Sequence, residues 1–208
     1  MQLKEKIRDF KRLGSEDLRV MCSDIRDFLI KSNAETGGHI GANLGVVELS
    51  VALHKVFDSP KDALIFDTGH IGYTHKLLTG RIEMFSTLNK FGGMNRFLTP
   101  DESEHDLVEM SHAGTSLSIG LGIALSKKMD GDKSWTVSVI GDGSLAEGIA
   151  LEALNHISET DTNHLIIIND NGFAISPGSG AIFQHLRNLH ANPRPKNNFF
   201  ESLGYKYY

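Results

Sequence analysis

The chain has 208 residues, of which 40% are hydrophobic and 23% are charged, so it is long enough for one globular domain with a buried core. Its formal net charge of −5 and the scatter of its Lys and Arg residues argue against a nucleic-acid-binding surface. Cys22 is the only cysteine in the sequence, which excludes an intramolecular disulfide and a zinc site built from cysteines.

No apolar run approaches membrane-spanning length, so we expect no membrane-embedded segment. The charged start, MQLKEKIRDF, lacks the apolar core of a signal peptide. Together with the single cysteine, these features favour the reducing cytoplasm as the location.

The first part of the sequence predicts helices and a short strand joined by polar, glycine-rich loops. Ser15 is a candidate N-cap for a helix whose apolar residues recur at helical spacing and which ends near Asn33. The segments that follow are predicted as a loop over 36–45, a buried helix over 46–57, a strand over 63–66, a second loop over 67–76 and an irregular stretch over 80–109.

The second part predicts a βαβ unit, which is typical of an α/β fold with a mainly parallel sheet. A loop at 111 leads into a helix rich in Gly, Ala and Ser up to 128, whose small residues favour close approach to a sheet or to a second copy of the helix. The βαβ unit consists of a strand over 135–140, the turn GDGSLAEG, a helix and a strand over 165–168. Residues 182–189 predict a short helix, 190–198 a linker, and 199–207 a helix end that runs into a strand, which a partner or a larger protein would complete.

The motifs Gly141-Asp142-Gly143 and Asn169-Asp170-Asn171 are the most informative feature of the sequence. A βαβ unit brings the two motifs to the carboxyl edge of a parallel sheet, where ligands of open α/β sheets bind. The start of the helix offers free N–H groups to an anion, but Asp142 would repel a bare phosphate. An acid beside a phosphate site therefore predicts a bridging cation, and the oxygens of Asp142 and Asn171 suit Mg²⁺ or Ca²⁺.

The alternatives to this interpretation are ordinary turns and other nucleotide motifs. Asp142 and Asn171 could form an Asx turn and a strand-end cap. The GDGSLAEG turn lacks the glycine register of a nicotinamide-binding fingerprint, and a P-loop is absent from the sequence. A zinc site at His70 and His75 is weakly supported, because their spacing is unusual and no acidic third ligand is evident.

Three histidines stand in loops next to regular elements, and each is a candidate for proton transfer or phosphate binding. They are His39, His70 and His112. Any one of them alone is better explained as an ordinary loop histidine, but three in glycine-flanked loops favour a site.

The sequence resembles the 1-deoxy-D-xylulose-5-phosphate synthases of the transketolase superfamily from about Leu18 to Tyr208. The motifs that carry the resemblance are GGHIGANLGVVELSVALHKVFDSPKD, FDTGHIGYTHKLLTGR, ESEHDLVEMSHAGTSLSIGLGIALS and GDGSLAEGIALEALN. The resemblance implies a three-layer αβα, thiamine diphosphate-binding fold, with residues 1–208 as a single diphosphate- and Mg²⁺-binding domain. The pyrimidine-binding domain of the family has no counterpart in this sequence.

The resemblance also implies roles for individual residues. It assigns Mg²⁺ to the side chains of Asp142 and Asn171 and the carbonyl of Phe173. The catalytic residues would be His39, His70 and His112, with His39 facing the substrate. The cofactor-binding residues would be His70, His112, Gly114, Gly143, Ser144, Asn171 and Ile175.

The implied reaction joins a two-carbon unit from pyruvate to glyceraldehyde 3-phosphate. The family's chains are about three times longer, and their cofactor-activating glutamate lies in the pyrimidine-binding domain. We therefore expect a truncated or split form, inactive alone, that works as a homodimer or as a hetero-oligomer with a chain carrying that domain. Glu147 is more typical of transketolase proper, so one alternative is a transketolase-like subunit that acts on other ketose or acyloin substrates. A non-catalytic binding module derived from the same fold is a further alternative.

Overall fold

A computed structural model describes residues 2–173, 176–193, 195 and 198–208. The chain divides into two compact units, 1–111 and 112–208. The expectation of one domain over 1–208 stays a prediction. In the part of the chain that the structure describes, no helix is both long enough and apolar enough to span a bilayer.

The first unit is mainly helical and has one short strand. Its elements are α1 (Leu3–Asp9), a 3₁₀ turn (Phe10–Arg12), α2 (Ser15–Thr36), α3 (Ile40–Leu44), α4 (Val47–Val56), β1 (Ala63–Phe66), α5 (Tyr73–Leu78) and a 3₁₀ helix (Ile82–Thr87).

The core of the first unit forms on α2, whose apolar residues follow the predicted helical spacing. Met21, Ile25 and Leu29 lie four residues apart and are fully buried. They pack in one cluster with residues of α4 and α5, including Val47 and Leu77. The predicted helix, the buried helix that follows and the strand β1 are therefore confirmed.

Two details of the first unit differ from the sequence expectation. Gly14 is the N-cap of α2, Ser15 is the first helical residue, and no side chain caps this end. The predicted loops over 36–45 and 67–76 contain the helix α3 and the start of α5. Buried polar contacts of Asn43 and Tyr73 order these segments, so tertiary packing overrides their glycine-rich composition.

The second unit contains the predicted βαβ arrangement. Its elements are α6 (Ser116–Met129), β2 (Thr136–Gly141), α7 (Asp142–Leu145), α8 (Gly148–Ile157), β3 (His164–Asn169), α9 (Ala181–Ala191) and α10 (Phe199–Ser202).

Strands β2 and β3 are parallel, and their register runs from Thr136 opposite His164 to Gly141 opposite Asn169. Apolar residues of α6, α8 and α9 form the core of this unit with β2 and β3. The predicted strand near the C-terminus is wrong, because the described residues 205–208 contain none. Instead, Tyr205 packs against α8 and donates a hydrogen bond from its hydroxyl to the carbonyl oxygen of Leu154 at 2.6 Å.

Candidate functional site

The register of the parallel pair brings two carboxylates together at the ends of neighbouring strands. Gly141 lies opposite Asn169, so the next residues, Asp142 and Asp170, follow at the same edge of the sheet. Asp142 is the first residue of α7 and only 3% of it is exposed. The expected convergence of the GDG and NDN motifs at one sheet edge therefore occurs within the second unit.

The carboxylate of Asp142 has no ion pair with a cationic side chain of the described residues. Its Oδ2 atom is buried and has no hydrogen-bond partner among the residues that the structure describes. Burial raises the pKa of Asp142, and Asp170 raises this pKa further, while the backbone N–H groups of Gly143 and Gly172 oppose the shift. Two facing carboxylates in a buried position suit a hard divalent cation, so these donors fit Mg²⁺.

Asn171 and Phe173 form a tight turn directly after this pair. The side-chain oxygen of Asn171 accepts a hydrogen bond from the Phe173 N–H at 2.9 Å, and Asp170 Oδ1 accepts one from the Gly172 N–H at 3.0 Å. The Asx turn considered as an alternative is thus present. It leaves the metal role open, because an amide oxygen has a second lone pair. Ile175 lies outside the described residues.

A histidine that sequence reasoning missed lies beside the carboxylate pair. His190 of α9 contacts Asp170 through its Nε2 atom, 2.8 Å from Asp170 Oδ2. The side chain of Asp170 is 12% exposed and that of His190 is 63% exposed, so His190 covers Asp170 from the solvent side. Asp170 belongs to the Asn169-Asp170-Asn171 motif, but the predicted metal ligand of that motif is Asn171, and only the register of β2 and β3 places Asp170 beside Asp142. His190 belongs to none of the motifs considered.

The predicted diphosphate-binding residues lie at the turn after β2. Gly143 and Ser144 belong to the short helix α7, whose N-cap Gly141 is extended. Gly114 has φ of +79°, and a Cβ placed there would lie 3.0 Å from the Cβ of Glu147 and 3.4 Å from the Ser144 carbonyl oxygen. A side chain at Gly114 would therefore separate its loop from this turn.

His112 lies two residues before Gly114 and is exposed. Its carbonyl oxygen accepts a hydrogen bond from the Thr115 hydroxyl at 2.8 Å, which fixes the loop just before α6 begins.

The first unit brings His39 and His70 together. Their ring centroids are 5.4 Å apart at an interplanar angle of 72°, and both side chains are half-buried. The Nδ1 atom of each ring is buried without a hydrogen-bond partner in the described part of the chain. Burial lowers the pKa of His70, the neighbouring His39 lowers it further, and Asp67 opposes the shift. His70 is therefore neutral at pH 7 and can accept a proton or a hydrogen bond.

His75, the second residue of the weak zinc alternative, belongs to a buried network. Its Nε2 atom lies 3.0 Å from Asp106 Oδ1, and its Nδ1 atom lies 2.8 Å from His54 Nε2. Arg81 completes the network with two hydrogen bonds to Asp106, at 2.6 and 2.8 Å. These contacts occupy both ring nitrogens of His75 and give it a structural role.

Comparison with known proteins identifies the family. Residues 1–207 match the family described as 1-deoxy-D-xylulose-5-phosphate synthase. The synthase of that name from Dictyoglomus turgidum is 47% identical over 193 residues, which is 93% of this chain and 31% of the relative. The one from Macrococcus caseolyticus is 52% identical over 190 residues, 90% of this chain and 30% of the relative. The chain thus spans about a third of the length of these curated relatives.

Solved structures show the same fold. A crystal structure of a transketolase mutant from Pichia stipitis has a TM-score of 0.74 at 22% identity and covers 92% of this chain and 31% of its own. Another transketolase mutant from that organism, in complex with xylulose 5-phosphate, has a TM-score of 0.65 at 20% identity and covers 84% of this chain and 28% of its own. The predicted α/β, thiamine diphosphate-binding fold is confirmed by this likeness and by the parallel β2–β3 pair. On the match over residues 1–207, the chain belongs to the 1-deoxy-D-xylulose-5-phosphate synthase family.

Proposed function

We propose that this chain is the diphosphate- and Mg²⁺-binding part of a thiamine diphosphate-dependent transferase. The reaction would form 1-deoxy-D-xylulose 5-phosphate from pyruvate and glyceraldehyde 3-phosphate. The observation that carries the proposal is the buried carboxylate of Asp142, whose Oδ2 atom has no hydrogen-bond partner among the described residues. Together with Asp170 at the adjacent strand end, it needs a cation, and a cation there can hold a diphosphate.

Each site residue then has a defined task. Asp142, Asn171 and the Phe173 carbonyl would hold Mg²⁺. The backbone N–H groups of Gly143 and Ser144 would donate hydrogen bonds to the diphosphate, as N–H groups at the start of a helix do. When bound, thiamine diphosphate supplies the electron sink for breaking and making bonds next to a carbonyl carbon.

The histidines would act around the reacting atoms. Neutral His70 would donate a hydrogen bond to the diphosphate from one ring nitrogen. His39 would face the substrate and move a proton to or from its hydroxyl or carbonyl oxygen. His112 and Gly114 would line the cofactor, and Ile175 would pack beside it.

The complete reaction is expected to need more than this chain. Because the chain spans about 31% of the relative from Dictyoglomus turgidum, the rest of such a synthase would supply the pyrimidine-binding half of the site. We propose that the chain acts in a homodimer or in a hetero-oligomer that includes this half, and that the chain alone does not turn over.

A chimera tests this proposal. Residues 1–207 of this chain would replace the matching part of the Dictyoglomus turgidum synthase, and product formation from pyruvate and glyceraldehyde 3-phosphate would be measured. We expect a turnover that requires Mg²⁺ and thiamine diphosphate and that falls at least 100-fold in the Asp142→Ala chimera. A folded chimera that binds the cofactor but turns over only ketose donors would favour transketolase-type chemistry. A chimera that binds no cofactor would favour a non-catalytic module.

A further inference from the structure

Asn43 connects the two loops that carry His39 and His70. Its side-chain Nδ2 atom donates one hydrogen bond to the carbonyl oxygen of His39 at 2.8 Å and another to the carbonyl oxygen of His70 at 2.7 Å. Its Oδ1 atom accepts a hydrogen bond from the Tyr73 N–H at 2.8 Å. Asn43 is fully buried, so water does not compete for these bonds.

The carboxamide of Asn43 uses both of its donor hydrogens in this arrangement. An amide group offers two N–H donors on one nitrogen and an acceptor oxygen on the other side. A carboxylate of the same shape has no donor, and a hydroxyl has only one. Asparagine is therefore suited to hold two carbonyl oxygens and one N–H group at once.

Tyr73 closes the arrangement from the other side. While its backbone N–H is bound by Asn43, its hydroxyl accepts a hydrogen bond from the His39 N–H at 3.3 Å. The chain packs tightly here, because a Cβ at Gly38 would lie 2.7 Å from the Tyr73 hydroxyl. The backbones of His39 and His70 are thus each tied to Asn43, and the His39 loop has a second tie through Tyr73.

We infer that Asn43 is a positioning residue that sets the separation and angle of the His39 and His70 rings. The ring arrangement itself, with centroids 5.4 Å apart, involves no hydrogen bond between the two rings among those described for this chain. Their relative position therefore depends on the backbones that carry them, and Asn43 links these backbones directly. The mechanistic importance of this residue rests on the proposed function, but its geometric role does not.

Nuclear magnetic resonance of the 208-residue chain with labelled histidines tests the inference. Signals are assigned with His39→Gln and His70→Gln, and the readouts are the Overhauser contact between the two rings and the titration midpoint of His70. In Asn43→Ala we expect the ring contact to be lost. The His70 midpoint should rise, because the neighbouring His39 no longer opposes its protonation, while Asp67 continues to favour it.

Two further variants separate positioning from general stability. Asn43→Asp keeps the acceptor for the Tyr73 N–H but loses both donors, so its histidine readouts should match those of Asn43→Ala. If Asn43→Ala does not fold, Asn43→Asp tests the inference in its place. Asn198→Ala is the matched control, since Asn198 is 2% exposed and its side chain accepts a hydrogen bond from the Glu201 N–H at 2.9 Å. The control should leave both histidine readouts unchanged.

Hydrogen exchange in the unmutated chain tests the inference independently of the variants. The side-chain N–H protons of Asn43 should exchange with solvent slowly, at least 100-fold slower than those of an exposed asparagine such as Asn155. Rapid exchange, or a ring contact and His70 midpoint that survive in both folded Asn43 variants, overturns the inference.

Calorimetry with Mg²⁺ and thiamine diphosphate separates this inference from the proposed function. If His70 reaches the diphosphate, Asn43→Ala should weaken cofactor binding about tenfold, the loss typical of a misplaced hydrogen bond. If the unmutated chain binds no cofactor while the histidine readouts depend on Asn43, the proposed function fails and the positioning role stands.

Discussion

Asp142 shows how a residue can weaken the fold that carries it. Its carboxylate is buried beside Asp170, and its pKa is raised, first by burial and then by that neighbour. An acid whose pKa is raised in the folded state contributes stability at low pH that is lost as the pH rises through that pKa. At pH 7 the raised pKa of Asp142 therefore lowers the stability of the metal-free chain, and a cation would reverse this effect.

Asp142→Asn should therefore raise the stability of the metal-free chain and remove its stabilisation by Mg²⁺. Without metal, the variant should be more stable than the unmutated chain by on the order of 1 kcal/mol and unfold at a higher temperature, because it lacks a carboxyl group that is costly to ionise. Added Mg²⁺ should stabilise the unmutated chain and leave the variant unaffected. Thermal unfolding with and without Mg²⁺ measures both effects. A variant that is less stable without metal, or equally stabilised by it, would refute the charge argument.

His54 and its neighbours make the stability of the first unit sensitive to acid. Burial lowers the pKa of His54 from 6.5 to about 2, with His75 adding to the shift. Burial acts against Asp106, but hydrogen bonds from His75 and Arg81 hold the pKa of Asp106 well below its usual range. In both cases the unfolded chain takes up protons first, so stability falls as the pH falls.

His54→Gln should flatten this pH dependence. Between pH 6.5 and about 2 the unfolded chain binds a proton at His54 that the folded chain does not bind. This difference costs up to about 1.4 kcal/mol per pH unit. Urea unfolding at pH 7.5 and pH 5 should show a smaller loss in His54→Gln than in the unmutated chain, although other buried histidines keep part of the slope. The exposed His156→Gln is the control, and the same slope in both variants would contradict the prediction.

At the scale of single residues, the sequence predicted which motifs meet at the sheet edge, but not the side-chain contacts made there. The oxygens of Asp142 and the pairing of its motif with NDN could be inferred, since residue types and a βαβ order suffice for that. The contacts of Asp170, His190 and Asn43 could not be inferred, because they depend on strand register and on side chains far apart in the sequence.

Among the elements, α6 has small residues that allow it to pack closely against the sheet. Gly120 packs against the sheet: a Cβ placed there would lie 2.4 Å from Ser138 Oγ and 2.7 Å from His164 Nε2. Ser138 and His164 are themselves hydrogen-bonded at 2.9 Å across β2 and β3. The sequence left open whether the small residues face a sheet or a second helix, and at Gly120 they face the sheet.

Gly120→Ala and Gly122→Ala should therefore have opposite effects. The added methyl group at Gly120 must displace the Ser138–His164 pair, which should cost about 1–3 kcal/mol. Gly122 has open space around its Cβ position, so alanine should stabilise the helix by about 0.5–1 kcal/mol. Chemical denaturation of both variants decides this. Equal effects of either sign would show that α6 does not approach the strands as described.

The elements that the sequence missed are short and depend on tertiary contacts. The long helix α2 and the strands follow from periodicity, which acts locally. The helices α3 and α5 lie in glycine-rich stretches, and α5 begins where the side chain of Asn43 binds the Tyr73 N–H. The predicted C-terminal strand failed for the converse reason, since its aromatic residues pack on α8 and on Phe200.

For the whole molecule, order along the chain was enough to predict the class of fold. Parallel neighbouring strands need a crossover connection, which is usually a helix, so the order strand, glycine turn, helix and strand predicts a parallel pair, and β2 and β3 form one. The chain divides into two compact units between residues 111 and 112. This boundary could not be predicted from composition, because the loop at 111 does not have the composition of a domain linker. The metal, cofactor and substrate assignments remain proposals that extend the family membership.

Titration calorimetry of the 208-residue chain with inorganic pyrophosphate and with thiamine diphosphate, each with and without Mg²⁺, tests the central claim most directly. The claim is that Asp142 and its neighbours bind a cation that in turn binds a diphosphate, so pyrophosphate is a sufficient ligand. We expect both ligands to bind only when Mg²⁺ is present, and Asp142→Ala to weaken this binding at least 100-fold while the chain stays folded. Binding that is the same without Mg²⁺, or the same in Asp142→Ala, would contradict the claim.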